Sequence, residues 1–238
     1  MGLSDLVPLR VATSRPVVGI LQRSVRRGAI SQGPPGRAEV ALTFDDGPHP
    51  EWTPLVLDML DRCAARATFF VVGRNVARYP ELVVEAKRRG HEVGTHLYSH
   101  ERGTVRDDAR FEAELVQSRA LLEPLLGEPL RWLRFPYGSP GNQHPDAIFA
   151  KSGLRTAYWT FSSHDGKLSR PEDIAARVEG GLRPGAIVLL HDALSDAGPI
   201  PAPYIEARAA TVQALPSIAA LLRGRGLCAV TLSELLRP

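Results

Sequence analysis

Residues 40–48 read Val40-Ala41-Leu42-Thr43-Phe44-Asp45-Asp46-Gly47-Pro48, a short apolar run that ends in two adjacent carboxylates and a Gly-Pro turn signal. An apolar run this short, rich in β-formers and closed by turn residues, predicts a buried strand. Similar runs recur at Ala67–Val72, His91–Thr95, Trp132–Phe135, Thr156–Phe161, Ile187–His191 and Leu227–Leu232, with amphipathic stretches between them. Strands that alternate with helices predict an α/β barrel of parallel strands. The helix signals agree: Thr53-Pro54 reads as a cap followed by a first-turn proline, and 107–126 and 205–223 have helical apolar spacing.

The residues that can do chemistry gather at one end of these strands. Asp45 and Asp46 follow the first, His96 and His100 the third, Arg134 and Tyr137 the fourth, Asp165 the fifth, and His191 ends the sixth. In barrel enzymes the C-terminal strand ends carry the active site. Taken alone, the Asp-Asp pair can be a turn start and the two histidines a structural pair. Together, one acid and two imidazoles spaced four apart can hold one divalent ion and leave a position open, as catalytic zinc sites do. On that reading Asp46, His96 and His100 are the ligands, and Asp45 is free to act as a base.

Size and composition are compatible with a single catalytic domain. The chain has 238 residues, 44% hydrophobic and 23% charged, enough for a full core. Residues 1–37 carry six arginines and one aspartate, +5 of the net +3, which leaves −2 for residues 38–238. We therefore divide the chain into a basic N-terminal arm and linker, 1–37, and a catalytic domain, 38–238. The arm has a short helix candidate at 17–26 and a Gly33-Pro34-Pro35-Gly36 linker. It lacks the aromatic interleaving and lysine blocks of a nucleic-acid binder, so no nucleic-acid partner is expected. No membrane span or secretion signal is visible, which makes a cytoplasmic protein the default expectation. Cys63 and Cys228 read as two inert core thiols.

Two segments, Thr43-Phe44-Asp45-Asp46-Gly47-Pro48 and Gly90-His91-Glu92-Val93-Gly94-Thr95-His96-Leu97-Tyr98-Ser99-His100, resemble the polysaccharide deacetylase family, the NodB-homology domain of carbohydrate esterase family 4. Arg134-Phe135-Pro136-Tyr137, the Asp165 region and Leu189-Leu190-His191 follow in the family's order, so the likeness spans about residues 38–235. The resemblance implies a distorted (β/α)7-type barrel that removes acetyl groups from N-acetylated, and sometimes O-acetylated, sugars. It further implies a metal at Asp46, His96 and His100, zinc first with cobalt or nickel as alternatives. By the same analogy Asp45 is general base, Arg134 orients it, His191 is general acid and Asp165 keeps His191 protonated. The Tyr137 N–H resembles the second oxyanion donor.

Amide hydrolysis needs a nucleophile, an oxyanion partner and a proton for a poor leaving group, and these residues supply one group for each. Leu189 and Trp159 read as apolar walls of an acetyl-sized pocket, with core packing the competing reading of Trp159. The expected partner is an acetylated carbohydrate such as a cell-wall glycan, a chitooligosaccharide or a glycosylated small molecule. An O-acetyl esterase and a non-catalytic glycan-binding module are the alternative functions. Family members are often exported, so an extracytoplasmic site of action is the alternative to the cytoplasm.

The chain also departs from the family pattern. Leu97 stands where the family usually has Ser or Thr, removing a hydroxyl that supports the histidine loop. Ser162 and Gly166 replace an acid and an aromatic near Asp165, which predicts a wider pocket. His49 and His91 read as loop supports, and His144 as surface.

Overall fold

The computed structural model describes residues 29–101, 108–138, 152–167, 170–194 and 202–238. The arm's helix candidate at 17–26 and His144 lie outside these residues. Among them the order is β1 (Glu39–Asp45), α1 (Trp52–Arg62), β2 (Thr68–Val71), α2 (Gly73–Val76), α3 (Pro80–Arg88), β3 (Glu92–Thr95), α4 (Asp108–Leu126), β4 (Trp132–Leu133), β5 (Arg155–Thr156), β6 (Phe161–Ser162), α5 (Pro171–Gly181), β7 (Ile187–His191), α6 (Ala202–Gly224), β8 (Cys228–Val230) and α7 (Leu232–Leu235).

The strands form one parallel sheet in the order β5-β4-β3-β2-β1-β7-β6, with β8 beside the first half of β1. The expected strand over 156–161 is two short strands on opposite edges, β5 against β4 and β6 against β7. The reason is curvature. Residues 157–160 cross from one edge to the other, with Ala157 N–H donating to Leu133 O (2.9 Å) and Thr160 N–H to Ile187 O (2.8 Å), so the sheet curls into a barrel. The chain before β1 seals this seam: Ile30 bridges Ala157, and Tyr158 N–H donates to Ile30 O at 2.6 Å.

Strand periodicity sorts β1 into two faces. Val40, Leu42 and Phe44 join the large core under the helices, where Phe44 stacks on Phe69 with ring centroids 5.1 Å apart. Ala41 joins a smaller core inside the barrel with Phe70, Trp132, Ala157 and Ile187. Thr43 and Asp45 share Ala41's parity and so face the barrel interior near its C-terminal mouth. Because both faces are buried, the run reads as continuously apolar rather than alternating.

The α1 cap is Glu51, and Thr53 lies inside the helix with its hydroxyl committed elsewhere. His49 does the capping work, its Nδ1 accepting from Glu51 N–H at 3.2 Å and Trp52 N–H at 3.4 Å. His91 sits before β3, at the strand end far from the predicted site, buried against Phe69 and accepting from Ala67 N–H at 3.2 Å. Cys228 is exposed rather than core, since β8 turns it outward, while Cys63 is partly buried.

Candidate active site

Asp45 and Asp46 leave β1 with different backbone conformations, which separates two adjacent carboxylates. Asp45 is the last residue of the strand, whereas Asp46 has φ 79°, in the left-handed region. A non-glycine residue there costs about 1–3 kcal/mol, so the surroundings must hold it. Asn75 Nδ2 donates to Asp46 O at 2.8 Å, and Val72 N–H donates to Gly47 O at 2.8 Å. From the other side comes Asp192, buried, its Oδ2 accepting from Thr53 Oγ1 at 2.6 Å. A Cβ on Gly47 would lie 2.4 Å from Asp192 Oδ2, so only glycine fits at that turn. Burial, reinforced by the Asp46 charge, pushes the Asp192 carboxyl up to about 7 against the Thr53 hydrogen bond.

The turn brings Asp46 to the two histidines. His100 Nε2 lies 3.2 Å and His96 Nε2 3.7 Å from Asp46 Oδ1. One ligand atom from each of the three residues falls within 4.8 Å of the others. A tetrahedral site with bonds of about 2.0–2.2 Å has ligand edges of roughly 3.3–3.6 Å, so this donor set fits a small divalent cation. His96 Nδ1 is 2.7 Å from Arg134 O, an oxygen that can only accept. That assigns the proton to Nδ1 and leaves the Nε2 lone pair toward Asp46. Burial lowers His96 to about 4 despite the nearby aspartates, so its ring is neutral at pH 7 as a metal ligand must be. Burial would raise Asp46, but the His100 hydrogen bond and the His191 charge hold it at about 2, ionised.

The loop from His96 to His100 is held without the family's usual hydroxyl. Leu97, at φ 64°, is fully buried in the main core, and its N–H donates to Thr95 Oγ1 at 3.0 Å. The anchor is Glu114 of α4. Its Oε2 accepts from Tyr98 N–H (2.9 Å) and Ser99 N–H (2.8 Å), and its Oε1 accepts from Ser99 Oγ. Glu114→Gln should therefore weaken zinc binding about 10–100-fold, the usual cost of losing an outer-layer partner. Calorimetric titration checks this; a folded variant with wild-type affinity would remove Glu114 from the site.

Arg134 occupies the barrel interior at 0% exposure. It donates through Nη1 to Asp45 Oδ1 and Thr43 Oγ1 (2.8 Å each), through Nε to Ala157 O (3.1 Å) and through Nη2 to Tyr158 O (2.9 Å). Phe70 lies under its guanidinium, 4.1 Å from ring centroid to carbon. Asp45 is thereby fixed with Oδ2 3.8 Å from His96 Nε2, next to the metal ligands but bound to arginine.

Across from Asp45, in register on β7, stands His191. Its Nδ1 is 2.8 Å from Asp165 Oδ1, and its N–H donates to Asp165 Oδ2 at 2.8 Å. Burial alone would lower the imidazole, but the Asp165 carboxylate, with help from Asp46, raises it to about 9. Asp165 in turn is held below the usual carboxylate range, the His191 and Arg208 charges outweighing its burial. The side chain of His191 is a quarter exposed.

Tyr137 takes φ 59° in the turn 136–138, its ring 4.6 Å from that of His100 and the residue 48% exposed. Trp159 packs beneath this turn: a Cβ on Gly138 would come within 2.4 Å of its ring. Leu189 is buried on β7 with the parity of His191, facing the barrel interior. Gly166, by contrast, has nothing within 4 Å of an added Cβ among the described residues.

Asp45, Asp46, His96, His100, Arg134, Asp165 and His191 thus meet at one mouth, as the strand-end argument expected. Glu114, Asn75, Asp192 and Arg208 were missed, and Thr53 was read only as a helix cap. Their polar atoms are buried in the structure, yet in sequence they sit on helices or beside motifs with no distinguishing pattern.

Several known proteins are similar to this chain. The polysaccharide deacetylase family matches residues 32–157. A peptidoglycan-N-acetylglucosamine deacetylase of Bacillus cereus is 36% identical over 203 residues, 83% of this chain and 88% of that protein. A chitooligosaccharide deacetylase of a Bradyrhizobium species is 38% identical over 192 residues, 80% and 87% of the two chains. Among solved structures, the Bc1960 peptidoglycan N-acetylglucosamine deacetylase superposes with a TM-score of 0.78 at 27% identity, covering 91% of this chain and 96% of that one.

Proposed function

Since the chain belongs to the polysaccharide deacetylase family, we propose that it is a metal-dependent hydrolase that removes acetyl groups from an N-acetylated glycan. The observation that carries this reading is the division of labour among three buried acids. Asp46 is turned toward two imidazoles, Asp45 is bound to Arg134, and Asp165 is bound to His191.

Asp46, His96 and His100 would hold a divalent cation, and a carboxylate with two imidazoles favours zinc over harder ions, with cobalt or nickel as substitutes. Bound there, the ion supplies Lewis acidity that polarises the acetyl carbonyl and makes nearby water more acidic. Asp45 takes the proton as the water oxygen attacks the carbonyl carbon. The Tyr137 N–H serves as a second donor to the oxygen that becomes negative. As the C–N bond breaks, the nitrogen takes the proton that His191 carries, giving acetate and a free amine. Arg134 keeps Asp45 aimed, and Asp165 keeps His191 charged until it donates. Leu189 and Tyr137 would border the acetyl group, with Trp159 supporting the turn that carries Tyr137.

The peptidoglycan and chitooligosaccharide relatives support an N-acetylglucosamine-containing glycan as substrate. No helix among the described residues is long and apolar enough to cross a membrane. The test is acetate release from N-acetylated chitooligosaccharides and peptidoglycan fragments with zinc, cobalt or nickel added. Release that requires the metal supports the reading; saccharide binding without release on any of them would sink it.

The pH dependence follows from the donor. His191 must be protonated to deliver its proton, so turnover is lost as pH rises through its pKa. Asp46 contributes to the value near 9, and a cation on Asp46 cancels that contribution. The alkaline limb of kcat/KM should therefore lie at or below pH 9 and above the ordinary histidine value. A limb that is unchanged in His191→Asn would assign it to another group.

A further inference from the structure

Arg208, on the long helix α6, is 1% exposed and belongs to none of the strand-end motifs. Its Nη1 donates to His191 O at 2.7 Å and to Asp165 Oδ2 at 3.3 Å, and its Nη2 donates to Asp165 O at 2.8 Å. One planar guanidinium thus joins the backbone carbonyls of both members of the proton-donor pair and one oxygen of the carboxylate between them. Thr211, three residues along the same helix, places Oγ1 3.0 Å from the same Oδ2.

The two carboxylate oxygens are thereby given different work. Oδ2 is occupied by α6 and by the His191 backbone N–H (2.8 Å), and Oδ1 faces His191 Nδ1 at 2.8 Å while accepting from Ser163 Oγ at 3.0 Å. A carboxylate held from one side only could rotate about its Cβ–Cγ bond and lengthen the imidazole contact. Held at Oδ1 by Ser163 and at Oδ2 by α6, the carboxylate keeps the hydrogen bond that orients the ring, and the α6 share of that grip comes from outside the motif loops. Burying a cation is costly unless its donors find acceptors, and Arg208 directs both terminal nitrogens to Asp165 and His191, leaving only Nε without a partner among the described residues.

We propose that Arg208 is a positioning residue for proton donation, clamping Asp165 and His191 together from α6 so that the imidazole is aimed at the leaving nitrogen. The proposal rests on His191 being the proton donor, as argued above.

A pair of substrates separates this role from general support of the fold. An N-acetylated chitooligosaccharide expels an amine that must be protonated, whereas 4-nitrophenyl acetate expels a phenolate that needs little help. In the zinc-loaded protein, Arg208→Met should lower the amide-to-ester rate ratio about 10–100-fold, with kcat rather than KM carrying the change. Arg208→Lys keeps the charge and guards against a misfolded variant. A lysine cannot span both carbonyls and the carboxylate, so the ratio should fall in this variant as well.

His191→Ala is the control and should lower the ratio more than either. If Arg208 variants fold and lose both activities in parallel, or keep the wild-type ratio, the positioning role is overturned. If His191→Ala itself leaves the ratio unchanged, it is the assignment of the donor that fails, not the clamp.

Discussion

Asp46→Asn protein is expected to lose divalent metal and, with it, at least about 10³-fold in acetate release. The metal contributes several kcal/mol of transition-state stabilisation, and each roughly 1.4 kcal/mol is tenfold in rate. Asparagine is the better probe than alanine. Position 46 has φ 79°, which Asn and Asp tolerate better than other residues with a Cβ, so the turn survives while the anionic ligand goes. Alanine would add backbone strain to the loss of the ligand. The neutral amide cannot balance the cation's charge beside two neutral imidazoles, so affinity falls even if the oxygen stays in place. The check is metal content after dialysis together with turnover. A metal-free variant with wild-type activity would end the metal-centred reading.

Asp45→Asn should give the opposite pattern: metal retained and turnover down by about 10²–10⁴-fold, the typical contribution of a positioned base. The two aspartates are adjacent in sequence, so the contrast tests geometry rather than local composition. A second consequence comes from Arg134. Its guanidinium is fully buried, and Asp45 is the one carboxylate bonded to it among the described residues. Removing one partner of a buried pair typically costs about 3–5 kcal/mol, so the variant should also melt at lower temperature. Thr43 Oγ1, Ala157 O and Tyr158 O continue to satisfy the cation and limit that loss. Zinc affinity close to wild type, with turnover gone, supports the base; turnover within about threefold of wild type contradicts it.

The two results together separate this protein from a glycan-binding module on the same scaffold. A module would tolerate Asp45→Asn without change in saccharide affinity and would have no turnover to lose. The ester alternative is judged on His191 instead, since a native substrate that survives His191→Ala is one whose leaving group needs no proton.

Much of the site was legible because strand ends are legible. A buried parallel strand is a short apolar run, its end is marked by the first polar residues, and in a barrel all those ends point the same way. That is why Asp45, His96, Arg134 and His191 could be brought together on paper although Asp45 and His191 are far apart along the chain. The error over residues 156–161 comes from the same rule. An apolar run does not say how many strands it makes, and here the need to bridge two sheet edges divides it. The Thr53 cap failed because a threonine before a proline is a local signal, while its hydroxyl was claimed by Asp192, a residue distant in sequence.

By itself the sequence determined the parallel barrel, the end of it where the candidate site lies and the residue types gathered there, since these depend on the period of burial along each strand. Only the tertiary structure decided how those residues are held: Glu114 under the histidine loop, Asp192 under the aspartate turn and Arg208 behind Asp165. A buried polar side chain on a helix looks, in sequence, like any residue on that helix's wet face. Which face meets solvent and which meets a carboxylate is settled by packing between segments far apart in the chain, and no local pattern records it.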